Sequence, residues 1–313
     1  MRSYRIYTKV IFVFIFLVVI AGSVVRTTQS GMGCPDWPKC FGNWIPPTSA
    51  DDLPADFEKY LSKQDIDHTF NVYHTWIEYI NRLFGALLGV LILIHFVWTL
   101  VKRKAFGTKY VVLSGLMVVL VGFSGWLGKL VVDHNLAVAK ISLHMISALV
   151  LAFVPLIILN IQHSKLLVYN DKKLNYAAFG LMVLLLVQLF LGIQLRENID
   201  EVSKTLGYLS RETWLDSSGV LFFVHRSFSW LILGICVYML YHMKEKLEYK
   251  VHLVGFLILV VLLFIIGIGF SYMGFPAFMQ PMHLLFSLLL ICLCFDLINK
   301  IYLNRVSVKK GNI

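Results

Sequence analysis

Four short motifs carry the groups with the clearest chemical potential. His225-Arg226-Ser227-Phe228 opens one apolar stretch and Met282-His283-Leu284 another, while Asn81-Arg82-Leu83-Phe84 and Leu143-His144-Met145 open two more at nearly matching separations earlier in the chain. A single histidine in an apolar helix is ordinarily a hydrogen-bonded core residue. Recurrence at corresponding places points instead to metal chemistry. Two imidazoles projecting from neighbouring helices toward a common plane can sandwich a porphyrin, with the macrocycle buried among aromatic and aliphatic side chains. His225 with His283 meets that description, and the expected state is a haem with both axial positions filled, suited to electron transfer. His144 has only Asn81 as its counterpart, and a carboxamide is a poor iron ligand.

Charged groups surround these positions. Arg82 and Arg226 directly follow the Asn81 and His225 positions, where a guanidinium near the membrane boundary needs an anion. Haem propionates would supply it bidentately, and snorkelling to lipid headgroups is the other reading. Arg26 and Arg196 pose the same choice. Glu78 lies one turn before Asn81, on the face of that position, and has no counterpart near Leu221 or Phe222. It is therefore a candidate catalytic acid or base, the plain alternative being an ion pair with Arg82. His74 shares that face but sits about 10 Å farther along the axis. His95, His163, His242 and His252 have no repeat partner and are expected to be core or boundary residues, and His68 and His134 fall in loops.

The elements that must position these groups are membrane helices. Of the 313 residues, 58% are hydrophobic and only 15% charged, too apolar for a soluble globule. Apolar spans are expected near residues 8–25, 75–101, 110–131, 138–160, 174–195, 218–241, 251–272 and 281–303, each long enough for a bilayer core. The first resembles a secretory leader in having Arg2, Arg5 and Lys9 before a short apolar run and Ala21-Gly22-Ser23 after it. Its end, Gly22-Ser-Val-Val-Arg26, recurs as Gly192-Ile-Gln-Leu-Arg196, which favours a retained helix. Lys102, Arg103, Lys104 and Lys109, then Lys165, Lys172 and Lys173, then Lys244, Lys246 and Lys250, and finally Lys300, Arg305, Lys309 and Lys310 fall on the side of the amino terminus if there are eight spans. Both termini are therefore expected to be cytoplasmic in a multi-pass protein of the cell membrane. The net charge of +10 is then a topological signature and requires no nucleic acid.

The opposite side carries a long loop, residues 26–74, acidic in its second half through Asp51, Asp52, Asp56, Glu58, Asp65 and Asp67, and too polar to lie in lipid. It is expected to form a small external cap. Cys34 and Cys40 flank Pro35-Asp36-Trp37-Pro38-Lys39 within it, where an oxidising compartment permits a disulfide, free thiols being the other reading. Such a bridge would add about 2 to 3 kcal/mol of constraint. Cys236, Cys292 and Cys294 lie inside apolar spans as small core residues. No Cys-x-x-Cys-His is present for covalent haem attachment.

Four spans before about residue 160 and four after make two halves of like orientation. The expected fold class is an all-α integral membrane protein, its eight transmembrane helices forming two four-helix bundles related by a pseudo-twofold axis along the membrane normal. The first half is residues 1–165 with its cap and the Asn81 and His144 positions, and the second is residues 166–313 with the bis-histidine haem.

These residues together resemble the haem A synthase family. The likeness lies in the two four-helix halves, Gly31-Met-Gly-Cys-Pro-Asp-Trp-Pro-Lys-Cys40, Glu78-Tyr-Ile-x-Arg82, Leu143-His144, His225-Arg226 and a histidine opening the last span, and it covers essentially the whole chain. The resemblance implies oxidation of the C8 methyl of haem O, through hydroxylated forms, to the formyl of haem A for cytochrome oxidase. It also implies haem b held by His225 and His283, the substrate haem held by His144, Glu78 as the catalytic carboxylate and a Cys34–Cys40 disulfide. Haem O synthase and an electron acceptor are the partners it implies. Asn81 departs from the family pattern, which has histidine there. Either the substrate iron is five-coordinate through His144, or His74 takes the vacant role; the first keeps the repeat in register and is preferred.

Two other functions fit parts of the pattern. One is a b-type cytochrome carrying electrons between quinol and a partner without changing its haem. The other is a transporter, disfavoured because Gly267, Gly269, Gly274 and Pro276 cluster toward the end of the seventh span rather than breaking helices at mid-membrane.

Overall fold

The computed structural model describes residues 1–62, 69–134, 136, 138–162, 172–243 and 249–309. Asp65, Asp67, His68, His163, Lys165, Lys244, Lys246 and Lys310 therefore lie outside the described residues. Eight helices are long and apolar enough to cross a membrane: α1 Arg2–Thr27, α2 Val72–Val101, α3 Thr108–Asp133, α4 Val138–Ile161, α5 Lys172–Thr205, α6 Val220–Met243, α7 Lys250–Tyr272 and α8 Met279–Lys309. The protein is an all-helical multi-pass membrane protein, and among the described residues there is no named β-strand.

Several helices outrun their expected apolar spans. α1 begins at Arg2 rather than near residue 8, and α5 continues to Thr205, past the expected end near 195. Hydropathy marks only the part of a helix that sits in lipid, whereas backbone hydrogen bonding carries the helix on into polar surroundings. On α1 the side chains of Tyr4, Thr8, Ile11 and Ile15 are buried while Val10, Val13 and Leu17 are exposed. Both faces are nonetheless largely apolar, as expected for a helix with protein on one side and hydrocarbon on the other.

Helix ends follow local chemistry. Asn71 caps α2, its side-chain oxygen accepting from the amides of Tyr73 and His74 at 3.0 and 3.3 Å. Gly107, at φ +93°, allows the chain to reverse between α2 and α3. α7 runs unbroken through Gly267 and Gly269, and Gly274 and Pro276 lie in the connection to α8. The glycine cluster thus terminates a helix and does not interrupt one.

The chain divides into two compact units, Met1–Leu159 and Asn160–Ile313. In the first, α1 packs on α2 and α2 on α3, while Ser124 of α3 meets Ser147 of α4 at 2.9 Å. A polar knot joins the first three helices. His95 of α2 stacks on Tyr4 at 4.6 Å and bonds Thr8 at 3.1 Å and Ser114 at 3.0 Å, all four residues being fully buried or nearly so. In the second unit α5 packs on α6, α6 on α7, α7 on α8 and α8 back on α5, a closed ring of four helices.

Candidate functional site

The start of α2 is built to hold the cap of the first unit. Cys34 and Cys40 form a disulfide with their Cα atoms 4.8 Å apart. Both are fully buried with Phe41, against Leu53, Tyr60, Phe70 and Tyr79. The Asp36 carboxylate organises the bend by accepting from the amides of Phe41 at 2.6 Å and Gly42 at 3.0 Å. Gly33 lies so close to α2 that a Cβ there would be 2.3 Å from the His74 carbonyl, so only glycine fits. Thr75 donates to the Gly33 carbonyl at 2.9 Å, Trp76 to that of Pro47 at 3.2 Å and Tyr79 to that of Trp44 at 2.6 Å. Thr75, Glu78, Tyr79 and Arg82 recur at helical spacing, so one stripe of α2 carries most of the cap's attachments.

Glu78 sits within that stripe at 3% exposure. Its Oε2 accepts from the Cys34 amide at 2.8 Å, and its Oε1 accepts from Arg82 Nε at 3.1 Å and Nη2 at 2.5 Å. The two readings of Glu78 are therefore not exclusive. It forms the ion pair with Arg82, and it also carries a backbone hydrogen bond from the disulfide loop, a link that spacing along α2 does not reveal. Arg82 is not left for an external anion, because the remaining guanidinium donors go to the carbonyls of Cys34, Asp36 and Lys39.

Near the same end of α2, the Asn81 side-chain oxygen lies 3.7 Å from where a Cβ on Gly22 of α1 would stand. His144, on the second turn of α4, is held from behind. Its Nδ1 meets the Ser124 carbonyl at 3.0 Å, and since a carbonyl only accepts, Nδ1 carries the proton. The lone pair is then on Nε2, the atom free to bind a metal. Ser147 donates to the His144 carbonyl at 2.7 Å and pairs with Ser124 at 2.9 Å, tying the turn to α3. The sequence did not single out either serine, whose only signal is a small polar residue beside a buried histidine.

In the second unit His225 of α6 and His283 of α8 come together, ring centres 6.4 Å apart and planes tilted by 56°. The Nδ1 atoms of both rings are buried without a hydrogen-bond partner. Gly192 of α5 stands against His225, where a Cβ would be 3.1 Å from Cε1. Thus Gly22 and Gly192, the equivalent glycines of the repeated segment, each face the equivalent position, Asn81 or His225. Gln188 holds the α6 backbone by donating to the His225 carbonyl at 3.0 Å, and Phe270 lies 5.4 Å from the His283 ring. Arg226 is exposed, its guanidinium over the rings of Phe222 and Phe223 at 5.6 and 5.5 Å. Arg196 pairs with Asp200 at 2.8 Å and donates to Gln280 at 2.5 Å.

Among the described residues no three His, Cys, Asp or Glu side chains converge as a metal-ion site. The arrangement suits a metal that brings its own equatorial donors and asks the protein only for axial ones, as a porphyrin does. Bonds of about 2 Å from each imidazole to a shared metal, with roughly 1 Å more to each ring centre, would separate the centres by about 6 Å. The observed 6.4 Å fits that sum. The other histidines do different work: His95 belongs to the buried knot, and His252 bonds Asp296 at 2.8 Å beside Lys300, a pairing 44 residues apart that no periodicity announces.

A family model described as COX15-CtaA, cytochrome oxidase assembly protein, matches residues 5–295. A curated relative from Shewanella oneidensis, named heme A synthase, is 26% identical over 215 residues, covering 68% of this chain and 62% of its own length. Another of that name from Flavobacterium psychrophilum is 24% identical over 312 residues, covering 86% of this chain and 89% of its own. One from Rhodospirillum centenum is 34% identical over 122 residues, covering 36% of this chain and 32% of its own. The chain thus spans less than two thirds of the Shewanella protein and nearly all of the Flavobacterium one.

Proposed function

Because the chain belongs to the COX15-CtaA family of cytochrome oxidase assembly proteins, we propose that it is a haem A synthase, a membrane oxidoreductase that oxidises the C8 methyl of haem O to the formyl group of haem A. One observation within the chain carries the reading: the His225 and His283 rings stand at a separation suited to one shared metal, with buried nitrogens that no protein group satisfies. A haem b bound there supplies one-electron transfer. His225 and His283 would hold it, Gly192 leaves the His225 ring its space, and Arg226 would be the guanidinium available to a propionate. Each half of the chain, residues 1–165 and 166–313, serves one haem, in a cell-membrane protein with both termini cytoplasmic.

In the first unit His144 presents Nε2 to the iron of haem O, with its opposite face oriented by the Ser124 carbonyl. Asn81 offers no second imidazole, so the protein holds that iron from one side. Glu78 is the carboxylate that accepts a proton as the methyl carbon is oxidised. Haem O synthase supplies the substrate; with water as the source of the formyl oxygen, each methyl group converted releases four electrons to an electron acceptor and four protons, of which Glu78 takes up one at a time.

Expressed beside a source of haem O, the protein is expected to yield a formyl-bearing haem on extraction and mass measurement. Return of unmodified haem alone would select the b-type cytochrome instead. The one-sided ligation has its own test. Asn81→His places an imidazole at the position that His225 occupies in the second unit, and it is expected to convert the first haem to a low-spin bis-histidine form. An unchanged spin state would count against an open axial position there.

A further inference from the structure

An arginine directly after a ligand position invites assignment to a haem carboxylate, yet Arg82 has no donor to spare. Its Nη1 donates to the carbonyls of Asp36 at 2.6 Å and Lys39 at 3.1 Å. Its Nη2 donates to the Cys34 carbonyl at 2.6 Å and to Glu78 Oε1 at 2.5 Å, and Nε donates to the same Glu78 oxygen at 3.1 Å. A guanidinium has five N–H groups, and these contacts account for all of them. Three of the acceptors are backbone carbonyls spread along the disulfide loop, which a single guanidinium gathers because its donors form a rigid planar fork.

The loop is fastened to the same carboxylate from its other side, where the Cys34 amide donates to Glu78 Oε2 at 2.8 Å. Loop, carboxylate and guanidinium therefore form one closed circuit. The disulfide beneath is at 0% exposure at both cysteines. A reductant reaches it only when the loop lifts from α2, and lifting breaks these charge-assisted bonds.

We propose that Arg82 is a positioning residue, which locks the Cys34–Cys40 loop onto α2 and through it fixes the orientation of the Glu78 carboxylate, and that it does not bind haem propionates. The consequence for catalysis rests on Glu78 being the reacting carboxylate; the lock itself does not depend on any haem.

The test follows reduction of the full-length protein in detergent by dithiothreitol, quenched and labelled with a maleimide-polymer under denaturing conditions. Cys236, Cys292 and Cys294 give a constant background, and opening the Cys34–Cys40 bridge adds to it. Arg82→Lys keeps the charge but cannot span the loop carbonyls, and Arg82→Gln removes the charge. Both are expected to speed reduction at least about tenfold, as loss of charged hydrogen bonds predicts, while helix content by circular dichroism is retained. Combining Arg82→Lys with Glu78→Gln is expected to be no faster than the faster single variant, since both open the same circuit.

Wild-type reduction rates in both Arg82 variants, or rates that multiply in the double variant, would overturn the lock. So would a raised KM for haem O with the disulfide still protected, which would assign Arg82 to the substrate's carboxylates. Faster reduction in a protein that forms no formyl haem would leave the lock standing and remove the proposed activity.

Discussion

Replacing His225 and His283 together with alanine is expected to abolish haem binding in the second unit, read as loss of the low-spin absorption of the purified protein. The ring centres lie 6.4 Å apart, and Phe270, which cannot ligate a metal, is 5.4 Å from the His283 ring. Among the described residues no third His, Cys, Asp or Glu joins the pair, so the double variant is expected to leave a bound haem without an imidazole ligand. The loss should exceed the roughly 10- to 100-fold in affinity that removing an outer partner of a metal ligand costs. Each single variant keeps one imidazole and is expected to pass through a five-coordinate, high-spin form. An unchanged spectrum in the double variant would remove the haem assignment, and with it the electron-transfer role proposed for this unit.

The histidines stood out because similar short motifs recur in the two halves of the sequence, and that recurrence is the ground for proposing them as ligand positions; the structure brings two of them, His225 and His283, together. The same comparison made Asn81 conspicuous. The eight spans were legible because lipid demands apolar side chains around each helix, although the true helix ends were not, since α5 extends through Arg196-Glu197-Asn198-Ile199-Asp200, held there by Leu195 and Ile199 packing on Trp214, Leu215 and Phe275 and by the Arg196–Asp200 ion pair. The Glu78–Arg82 pair follows from its four-residue spacing on a helix.

What escaped the sequence was the fate of that pair. Arg82 is captured by carbonyl oxygens of Cys34, Asp36 and Lys39, and a carbonyl is present at every residue, so no residue type signals it. Close approach of Gly33 to His74 is equally silent until the fold is known. The contacts with Glu78 and the loop carbonyls leave Arg82 no spare donor for a bound carboxylate, whereas Arg226 is exposed. The Ser124 carbonyl behind His144 belongs to the same class of contacts, in which the backbone of one helix orients a side chain of the next.

Glu78→Gln separates the two tasks that converge on this carboxylate. The amide keeps an oxygen that can accept from Arg82 or from the Cys34 amide, so part of the loop attachment survives, but it cannot take up a proton at neutral pH. If Glu78 is the proton acceptor, formation of formyl haem in this variant should fall by about 10²- to 10⁴-fold, the usual worth of a positioned acid or base. Glu78→Ala should do more, because it leaves the Arg82 guanidinium buried without its counter-charge, a loss of about 3–5 kcal/mol for a broken buried pair. The Arg82 and Glu78 side chains are only 14% and 5% exposed, so solvent compensates little. The alanine variant should therefore show both a lost activity and a readily reduced Cys34–Cys40 bridge, while the glutamine variant loses activity with a smaller gain in reduction rate. Near-normal turnover in Glu78→Gln would leave the residue only its structural task and would require the proton to go elsewhere.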